Sequence, residues 1–219
     1  MNSKIPIEIS ARHIHLSRKD LEKLFGKNHK LKKKKDLTQP GQFAAQETLT
    51  IRVSESERRT KMKTKFSSPI QNRKKKIKNV RIVGPLRKKT QVEIAWTDAV
   101  NLSIKVPIRK SGNLAKTPGI DLMGPKGKLR LKEGIIIPWR HIHLNPGEAK
   151  RLKVKNGDLV SVRIKGKRAV TFHNVLIRVD KNYKPSFHLD TDEGNAAGIM
   201  KKGQGEIVKE DKSSFPSSF

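Results

Sequence analysis

Two short histidine motifs suit metal binding by residue type and by spacing. The sequence RHIHLS at 12–17 recurs as RHIHLN at 140–145, so both histidines reappear 128 residues later. Residues i and i+2 of a β-strand point to the same face, which places the two histidines of each motif about 6 to 7 Å apart at the backbone. Because neutral imidazole is the commonest metal ligand, the motifs predict two chelating pairs, His13 with His15 and His141 with His143.

A single His-x-His motif is also typical of two half-buried strand histidines. The duplication favours metal ligands, because four of the seven histidines lie in the repeated element. A site with few protein ligands leaves coordination positions open for substrate, which is the pattern of catalytic zinc. Candidates for the further ligands are His188 and Glu93. Two alternatives stay open at this point: His188 as a hydrogen-bonded core histidine, and Glu93 as a solvent-facing strand residue.

Other polar residues have simpler interpretations. His29 and His173 have no comparable setting and are predicted to be surface or structural residues. The acidic run at 190–193 predicts a helix N-terminus, where carboxylates interact favourably with the helix dipole. Arg87 follows a Gly-Pro pair, and its planar fork of N–H donors could hold an oxyanion.

Each histidine motif has a predicted strand before it and a predicted helix after it. Isoleucines alternate at 5–9 and an apolar run spans 135–137, as in strands. Residues typical of helix N-termini follow both motifs, namely Ser17 with Asp20, and Asn145 with Pro146 and Glu148. We therefore expect two related units, each containing a strand, a histidine pair and a helix.

The rest of the chain is predicted to be mainly β-structure. Apolar residues alternate at 49–53, 160–164 and 175–179, the pattern of strands with one buried face. Many short strands, few short helices and frequent Gly and Pro favour a β-rich α+β fold with two small β-barrel domains related by the internal repeat. The lysine-rich run at 27–35 and the basic stretch at 54–78 are predicted to be solvated loops.

The composition limits the classes of protein and partner. The 219 residues carry a formal net charge of +30, which suggests anionic partners. Only 5% of residues are aromatic and no known nucleic-acid module is present, which argues against nucleic acid. The absence of cysteine excludes disulfides, thiolate ligands and a thiol nucleophile. Without a signal sequence or a long apolar run, we expect a cytoplasmic protein with no membrane span.

Five segments, in order along the chain, resemble one family. They are RHIHLS at 12–17, QPGQFAA at 39–45, GPLRKKTQVE at 84–93, RHIH at 140–143 and HLDTDE at 188–193. Together they resemble the propanediol-utilisation type phosphotransacylases, also called phosphate propanoyltransferases. The resemblance extends from Ile5 to about Gly203.

The resemblance implies a fold and an assembly. The family fold is two β-barrels with small helices, and its N-terminal strand joins the barrel formed by the C-terminal third. One domain would then comprise 1–11 and 139–219, and the other 12–138. The family also implies a homodimer.

The resemblance further implies a two-zinc site between the barrels. His13, His15 and Glu93 would bind one zinc ion, whose open position receives the coenzyme A sulfur. The other zinc ion and a water molecule would be bound by His141, His143 and His188. Phosphate would bind Arg87 of the Gly-Pro-x-Arg motif, and the residues expected along coenzyme A are Ser10, Lys35, Arg81 and Asn195.

Two departures from the family pattern are visible. The segment at about 54–73 resembles a basic insertion where the family has a short Gly-containing turn. The chain also begins almost at its first strand, without the amphipathic extension that directs many relatives to bacterial microcompartments.

We predict reversible transfer of a short acyl group, propanoyl or acetyl, between coenzyme A and inorganic phosphate at two zinc ions. Two other classes remain as alternatives. One is a basic nucleic-acid-binding protein with structural histidines, and the other is a two-metal phosphoesterase acting on RNA or nucleotides.

Overall fold

The computed structural model describes residues 4–53 and 76–208. The predicted insertion at 54–73 therefore lies outside the described residues, whereas the end of the predicted basic loop, 76–78, was wrongly predicted and belongs to a strand. In chain order the strands are β1 (Lys4–Ile9), β2 (His13–His15), β3 (Lys33–Asp36), β4 (Phe43–Arg52), β5 (Lys76–Gly84), β6 (Gln91–Glu93), β7 (Ile108–Arg109), β8 (Ile120–Met123), β9 (Lys128–Leu131), β10 (Ile135–Pro138), β11 (His141–Leu144), β12 (Leu159–Ile164), β13 (Val170–Val179), β14 (Ser186–Leu189) and β15 (Lys202–Val208). The helices are α1 (Arg18–Phe25), α2 (Trp96–Leu102), α3 (Pro146–Leu152) and α4 (Thr191–Ala196).

The chain divides into two compact units. Unit 1 comprises Met1–Ala11 and Trp139–Phe219, and unit 2 comprises Arg12–Pro138. Each unit has its own hydrophobic core, which includes Ile5, Ile142 and Phe187 in unit 1. The core of unit 2 includes Ile14 and Val92.

Unit 1 is built around a closed six-stranded barrel in the order β1-β14-β11-β13-β12-β15. The N-terminal strand β1 completes this barrel, because it pairs in parallel with β14 and antiparallel with β15. Closure leaves no unpaired strand edge within the barrel.

Unit 2 contains a nine-stranded sheet in the order β7-β10-β6-β2-β5-β4-β8-β9, with β3 paired to β4 outside this path. The sheet curls into a half-barrel. The lysine-rich run was predicted to be a loop, but Lys33–Asp36 form strand β3 with all four side chains exposed. The loop prediction was wrong there because main-chain pairing with β4 needs no alternating apolar side chains.

Both histidine motifs form strands that lead directly into helices, as predicted. Ser17 caps α1, where its Oγ accepts the Asp20 N–H at 3.2 Å, and Asn145 caps α3, where its Oδ1 accepts the Glu148 N–H at 2.9 Å. The middle residue of each motif is an isoleucine whose side chain is fully buried in its core. That burial directs the two flanking histidines to the opposite face of each strand.

The pairing around the two motifs also repeats. In unit 2, β2 lies between β6, to which it is antiparallel, and β5, to which it is parallel. In unit 1, β11 likewise lies between antiparallel β14 and parallel β13. The strand preceding each motif joins the unit of the other motif, since β1 pairs with β14 and β10 pairs with β6, both in parallel.

The predicted fold class, β-rich with short helices and barrel-like domains, is confirmed. None of the helices in the described part of the chain is long and apolar enough to cross a membrane.

Candidate functional site

The first candidate site lies in unit 2 and contains His13, His15 and Glu93. His13 is directly opposite Glu93 in the antiparallel pair β2·β6, so the third side chain is brought to the histidine pair by strand register. His13 Nε2 lies 3.2 Å from His15 Nε2 and 3.5 Å from Glu93 Oε2. All three side chains are buried. Glu93 is therefore not the solvent-facing strand residue of the alternative interpretation.

These separations suit one metal ion. Bonds of about 2.0 to 2.2 Å in a tetrahedral arrangement separate neighbouring ligand atoms by about 3.3 to 3.6 Å. The potential ligand atoms of the three residues all lie within 4.8 Å of one another. Two imidazoles and one carboxylate are also a donor set that zinc binds in enzymes while keeping a position open.

His15 is held in the tautomer that a metal ligand requires. Its Nδ1 lies 3.1 Å from the carbonyl oxygen of Val83, so Nδ1–H donates there and Nε2 keeps its lone pair. Burial, the neighbouring His13 and the charge of Arg87 lower the pKa of His15 well below its ordinary value. The imidazole is therefore neutral at physiological pH, as metal binding requires.

The carboxylate of Glu93 is fixed by two neighbours through a single oxygen. Glu93 Oε1 accepts a hydrogen bond from the side-chain amide of Gln91 and another, at 2.9 Å, from the hydroxyl of Ser111. Its other oxygen, Oε2, is the one near His13. The carboxylate is thus oriented with one oxygen toward the histidines.

Two arginines lie beside this site. The Arg87 main-chain N–H donates to the carbonyl of Leu16 at 2.9 Å, and its guanidinium donates to Ser111 Oγ at 3.1 Å. Arg81 lies on β5 opposite His13. Burial lowers the pKa of Arg81, and the charge of Glu93 opposes that change. Their positive charges make the site suitable for an anionic substrate.

The second candidate site lies in unit 1 and contains His141, His143 and His188. His141 is directly opposite His188 in the antiparallel pair β11·β14. The ring centroids are 4.6 Å apart for His141 and His143, 4.7 Å for His143 and His188, and 5.1 Å for His141 and His188. Their potential ligand atoms also lie within 4.8 Å of one another.

His143 is the clearest sign of a ligand at the second site. Its side chain is buried, and neither ring nitrogen has a hydrogen-bond partner among the described residues. An unsatisfied buried polar group costs about 1 to 3 kcal/mol, which a bound metal ion would offset. Burial, followed by the charges of His141 and His188, strongly lowers the pKa of His143, so its ring is neutral. The Tyr183 ring packs on it at a centroid distance of 4.1 Å.

Main-chain and side-chain groups orient the other two rings. His141 Nδ1 lies 2.7 Å from the carbonyl oxygen of Trp139, so Nδ1–H donates there and Nε2 carries the lone pair. His188 Nε2 lies 2.8 Å from Ser186 Oγ and 3.8 Å from Glu8 Oε2. His188 is therefore hydrogen-bonded, as the core alternative proposed, and also belongs to the cluster.

The four residues expected along coenzyme A occupy different elements. Ser10 follows β1 and its N–H donates to the Leu189 carbonyl at 2.7 Å. Asn195 is exposed on α4, where a Cβ on the preceding glycine would lie 2.5 Å from Ile9 Cδ1. Ser10 and Asn195 are therefore the chain neighbours of Ile9 and Gly194, which are in close contact within unit 1. In unit 2, Lys35 is exposed on β3, and Arg81 lies beside the first site.

The remaining histidines have structural partners, as predicted. His29 Nε2 lies 2.9 Å from Glu47 Oε1, and the ring stacks on Phe25. His173 Nδ1 lies 2.9 Å from the hydroxyl of Ser161. The acidic run at 190–193 begins α4, as predicted, with Asp190 as its N-cap.

Several residues near the sites were not found from the sequence. In each unit the arginine that begins the histidine motif binds a carboxylate on a short helix. Arg12 Nε donates to Asp98 at 2.8 Å, and Arg140 donates to Glu193 at 2.9 Å. Each of these helices follows the strand that carries the third candidate ligand. Gln91 could have been found, since it precedes Glu93 by two residues and so shares its face. Ser111 lies in a turn 18 residues from Glu93, and no sequence pattern links the two.

Comparison with known proteins gives a consistent result. A family model described as phosphate propanoyltransferase matches residues 6–64 and 56–200. The chain is 46% identical to the phosphate propanoyltransferase of Lachnoclostridium phytofermentans, over 93% of this chain and 85% of that protein. It is 46% identical to that of Thermotoga maritima, over 93% and 87%, and 47% identical to that of Salmonella typhimurium, over 89% and 83%.

Proposed function

The chain belongs to the phosphate propanoyltransferase family, and we propose that it transfers a short acyl group reversibly between coenzyme A and inorganic phosphate. The products would be an acyl phosphate and free coenzyme A. Membership makes the protein an acyltransferase that uses phosphate as its acceptor.

The observation that carries this proposal is the pair of three-residue clusters, each assembled by the same strand register. His13 faces Glu93 in one unit as His141 faces His188 in the other. In each cluster the potential ligand atoms lie within 4.8 Å of one another, which a purely structural role for the histidines would not require. We assign one zinc ion to each cluster.

The donor sets fit zinc. Two features support zinc: the buried ring nitrogens of His143, which have no hydrogen-bond partner within 4–53 and 76–208, and the ligand spacing in the first cluster. Bound zinc would supply a Lewis acid for the thioester carbonyl and stabilise the thiolate leaving group. The protein supplies the rest: burial lowers the pKa values of His15 and His143 so that these rings are neutral, and main-chain carbonyls fix the tautomers of His15 and His141.

Arg87 is the proposed phosphate-binding residue. It lies close enough to the first cluster for its charge to lower the pKa of His15, and a guanidinium binds phosphate oxygens through two parallel N–H bonds. Holding phosphate beside the thioester would convert a bimolecular attack into a reaction within one complex. For coenzyme A we propose contacts with Ser10, Lys35, Arg81 and Asn195, whose basic members would bind its phosphates.

Phosphate is proposed to attack the thioester directly. The chain has no cysteine, so the usual thiol route to an acyl-enzyme is absent. The histidines of both clusters would be occupied as ligands and unable to act as nucleophiles.

The decisive experiment is a phosphate-dependent thiol-release assay with acyl-CoA substrates of two, three and four acyl carbons. We expect release of coenzyme A only when phosphate is present, together with formation of acyl phosphate. Hydrolysis of a phosphodiester without any phosphate-dependent thiol release would support a two-metal phosphoesterase. Binding of nucleic acid alone, with no turnover, would support the nucleic-acid-binding alternative. Either result would overturn the proposal.

A cytoplasmic location and a homodimer stay predictions. Cell fractionation would test the location, and light scattering of the purified chain would test the oligomeric state. Neither outcome bears on the chemistry of the clusters.

A further inference from the structure

One hydroxyl connects the candidate metal-binding carboxylate to the candidate phosphate-binding arginine. We propose that Ser111 is a positioning residue that fixes Glu93 and Arg87 relative to each other, so that the first metal ion and phosphate are held at a set separation. Neither the motifs nor the family comparison assigns a role to Ser111. The part of this proposal that concerns phosphate rests on the proposed function.

The contacts of Ser111 use its full hydrogen-bonding capacity. Its Oγ lies 2.9 Å from Glu93 Oε1, 2.9 Å from Gln91 Nε2 and 3.1 Å from an Arg87 guanidinium nitrogen. A hydroxyl has one hydrogen to donate and two lone pairs to accept with. The arginine and the amide nitrogen can only donate, so they occupy the two lone pairs. The single hydroxyl hydrogen must therefore point to Glu93.

The orientation of Gln91 is fixed independently. Its side-chain oxygen accepts the main-chain N–H of Gly112 at 2.8 Å, so its NH₂ group must face the other way. That group then gives one hydrogen to Glu93 Oε1 and the other to Ser111 Oγ. Since Gly112 follows Ser111 directly, one short turn fixes both the amide and the hydroxyl.

The network determines which oxygen of Glu93 would bind a metal ion. Both donors approach Oε1, whereas Oε2 is the oxygen 3.5 Å from His13 Nε2. The two donors hold Oε1 in place, and Oε2 is the oxygen that faces the histidines and is available to the ion. Ser111 and Gln91 thus select one-oxygen binding through Oε2, the geometry in which a carboxylate occupies a single coordination position.

The same hydroxyl orients the guanidinium of Arg87. Arginine side chains are long and lose rotamer entropy when fixed, and phosphate binding through two N–H bonds needs one orientation of the planar fork. Ser111 accepts from one terminal nitrogen, and the Arg87 main chain is held by the Leu16 carbonyl. Loss of the hydroxyl should therefore weaken phosphate binding and metal binding together.

The test compares Ser111→Ala with Ser111→Thr and with Asn113→Ala in the full chain. Asn113 is an exposed residue of the same turn, and its main-chain N–H to the Lys110 carbonyl is retained in the variant. Thermal unfolding checks that all three variants are folded. Two readouts follow: zinc affinity, from chelator competition, and the separate apparent KM values for phosphate and acyl-CoA.

Ser111→Ala should weaken one of the two zinc-binding steps by about 10-fold or more, the range found when a group supporting a ligand is removed. In assays at saturating zinc, it should raise the phosphate KM by roughly 10-fold and leave the acyl-CoA KM within about twofold. Ser111→Thr keeps the hydroxyl and should restore both values. Asn113→Ala should match the parent.

The zinc measurement needs no activity, so it tests Ser111 even if the chain transfers no acyl group. If Arg87→Lys raised the phosphate KM while Ser111→Ala changed neither zinc affinity nor that KM, the positioning role would be wrong and the proposed function would stand. Equal losses in Ser111→Ala and Asn113→Ala would show that turn packing, and not the hydroxyl, is responsible, which also overturns the inference.

Discussion

Glu93 and His188 occupy equivalent positions in the two units. Each lies on the strand antiparallel to a histidine motif and directly opposite the motif's first histidine. Each is also followed, within three residues, by a short helix whose third residue is a carboxylate bound by the motif's arginine. The two sites therefore share one scaffold and differ in one candidate ligand: a carboxylate in unit 2 and an imidazole in unit 1.

The shared scaffold predicts two zinc ions per chain. Elemental analysis of the protein should give about two equivalents, and His15→Ala and His143→Ala should each lose one, because each removes a ligand from a different cluster. His29→Ala and His173→Ala are matched controls that should retain two, since their rings contact Glu47 and Ser161 instead. A fully active parent with one equivalent or fewer would contradict the two-zinc assignment.

Replacement of Arg87 by lysine should impair the use of phosphate more than that of acyl-CoA. Lysine keeps the charge but loses the planar pair of donors. We expect a loss of roughly 1 to 3 kcal/mol, seen as a raised phosphate KM in initial-rate measurements. Arg109→Lys, in the same unit and bonded to a main-chain carbonyl, is the control. A change confined to the acyl-CoA KM would refute the role given to Arg87.

The ion pair between Arg12 and Asp98 should contribute to the stability of the protein. Asp98 is 3% exposed, so Asp98→Asn leaves a buried polar position with a weaker partner and should cost about 2 kcal/mol in urea unfolding. Asp36→Asn is the control, because Asp36 pairs with Lys33 at 3.1 Å in the same unit with both side chains exposed. That variant should lose less than about 1 kcal/mol. Equal losses would show that burial of the Asp98 carboxylate does not matter.

The contribution of Glu193 to the stability of the protein should fall as the pH rises. Burial, with the charge of Asp190, raises the pKa of Glu193 to about 7. The folded state therefore holds a proton that the unfolded state releases between about pH 4.5 and 7, and the stability present below that window is lost through it.

Glu193→Gln removes this titration. As the pH rises from 5 to 8, the unfolding free energy of the variant should increase by about 2 kcal/mol relative to that of the parent. Urea denaturation at the two pH values measures it, with Glu148→Gln, at an exposed pair with Arg151, as the control. A difference between variant and parent that stays constant with pH would contradict the prediction.

Direct transfer predicts the absence of one exchange reaction. Without an acyl-enzyme, label cannot pass from free coenzyme A into acetyl-CoA unless phosphate or acyl phosphate is present. The protein is incubated with acetyl-CoA and labelled coenzyme A after phosphate removal, and label in the thioester is followed. Added phosphate is the positive control. Exchange at a rate comparable to turnover would reveal a covalent acyl carrier.

Much of the local structure could be predicted because it depends on neighbouring residues. The buried isoleucine between two histidines sets the face of each histidine pair, and Ser17 and Asn145 start the following helices through short-range hydrogen bonds. Strand β3 was missed because its exposed lysines carry no alternating pattern, and its formation depends on main-chain pairing with β4.

The sequence by itself determined the family, the β-rich fold class and the duplicated histidine pairs, since these follow from repeated motifs and short-range periodicity. Only the tertiary structure decided which side chains meet them. Strand register placed Glu93 opposite His13, and a turn 18 residues farther along brought Ser111 to Glu93 and Arg87. Such contacts depend on how distant segments pair and pack, and no local periodicity encodes that pairing.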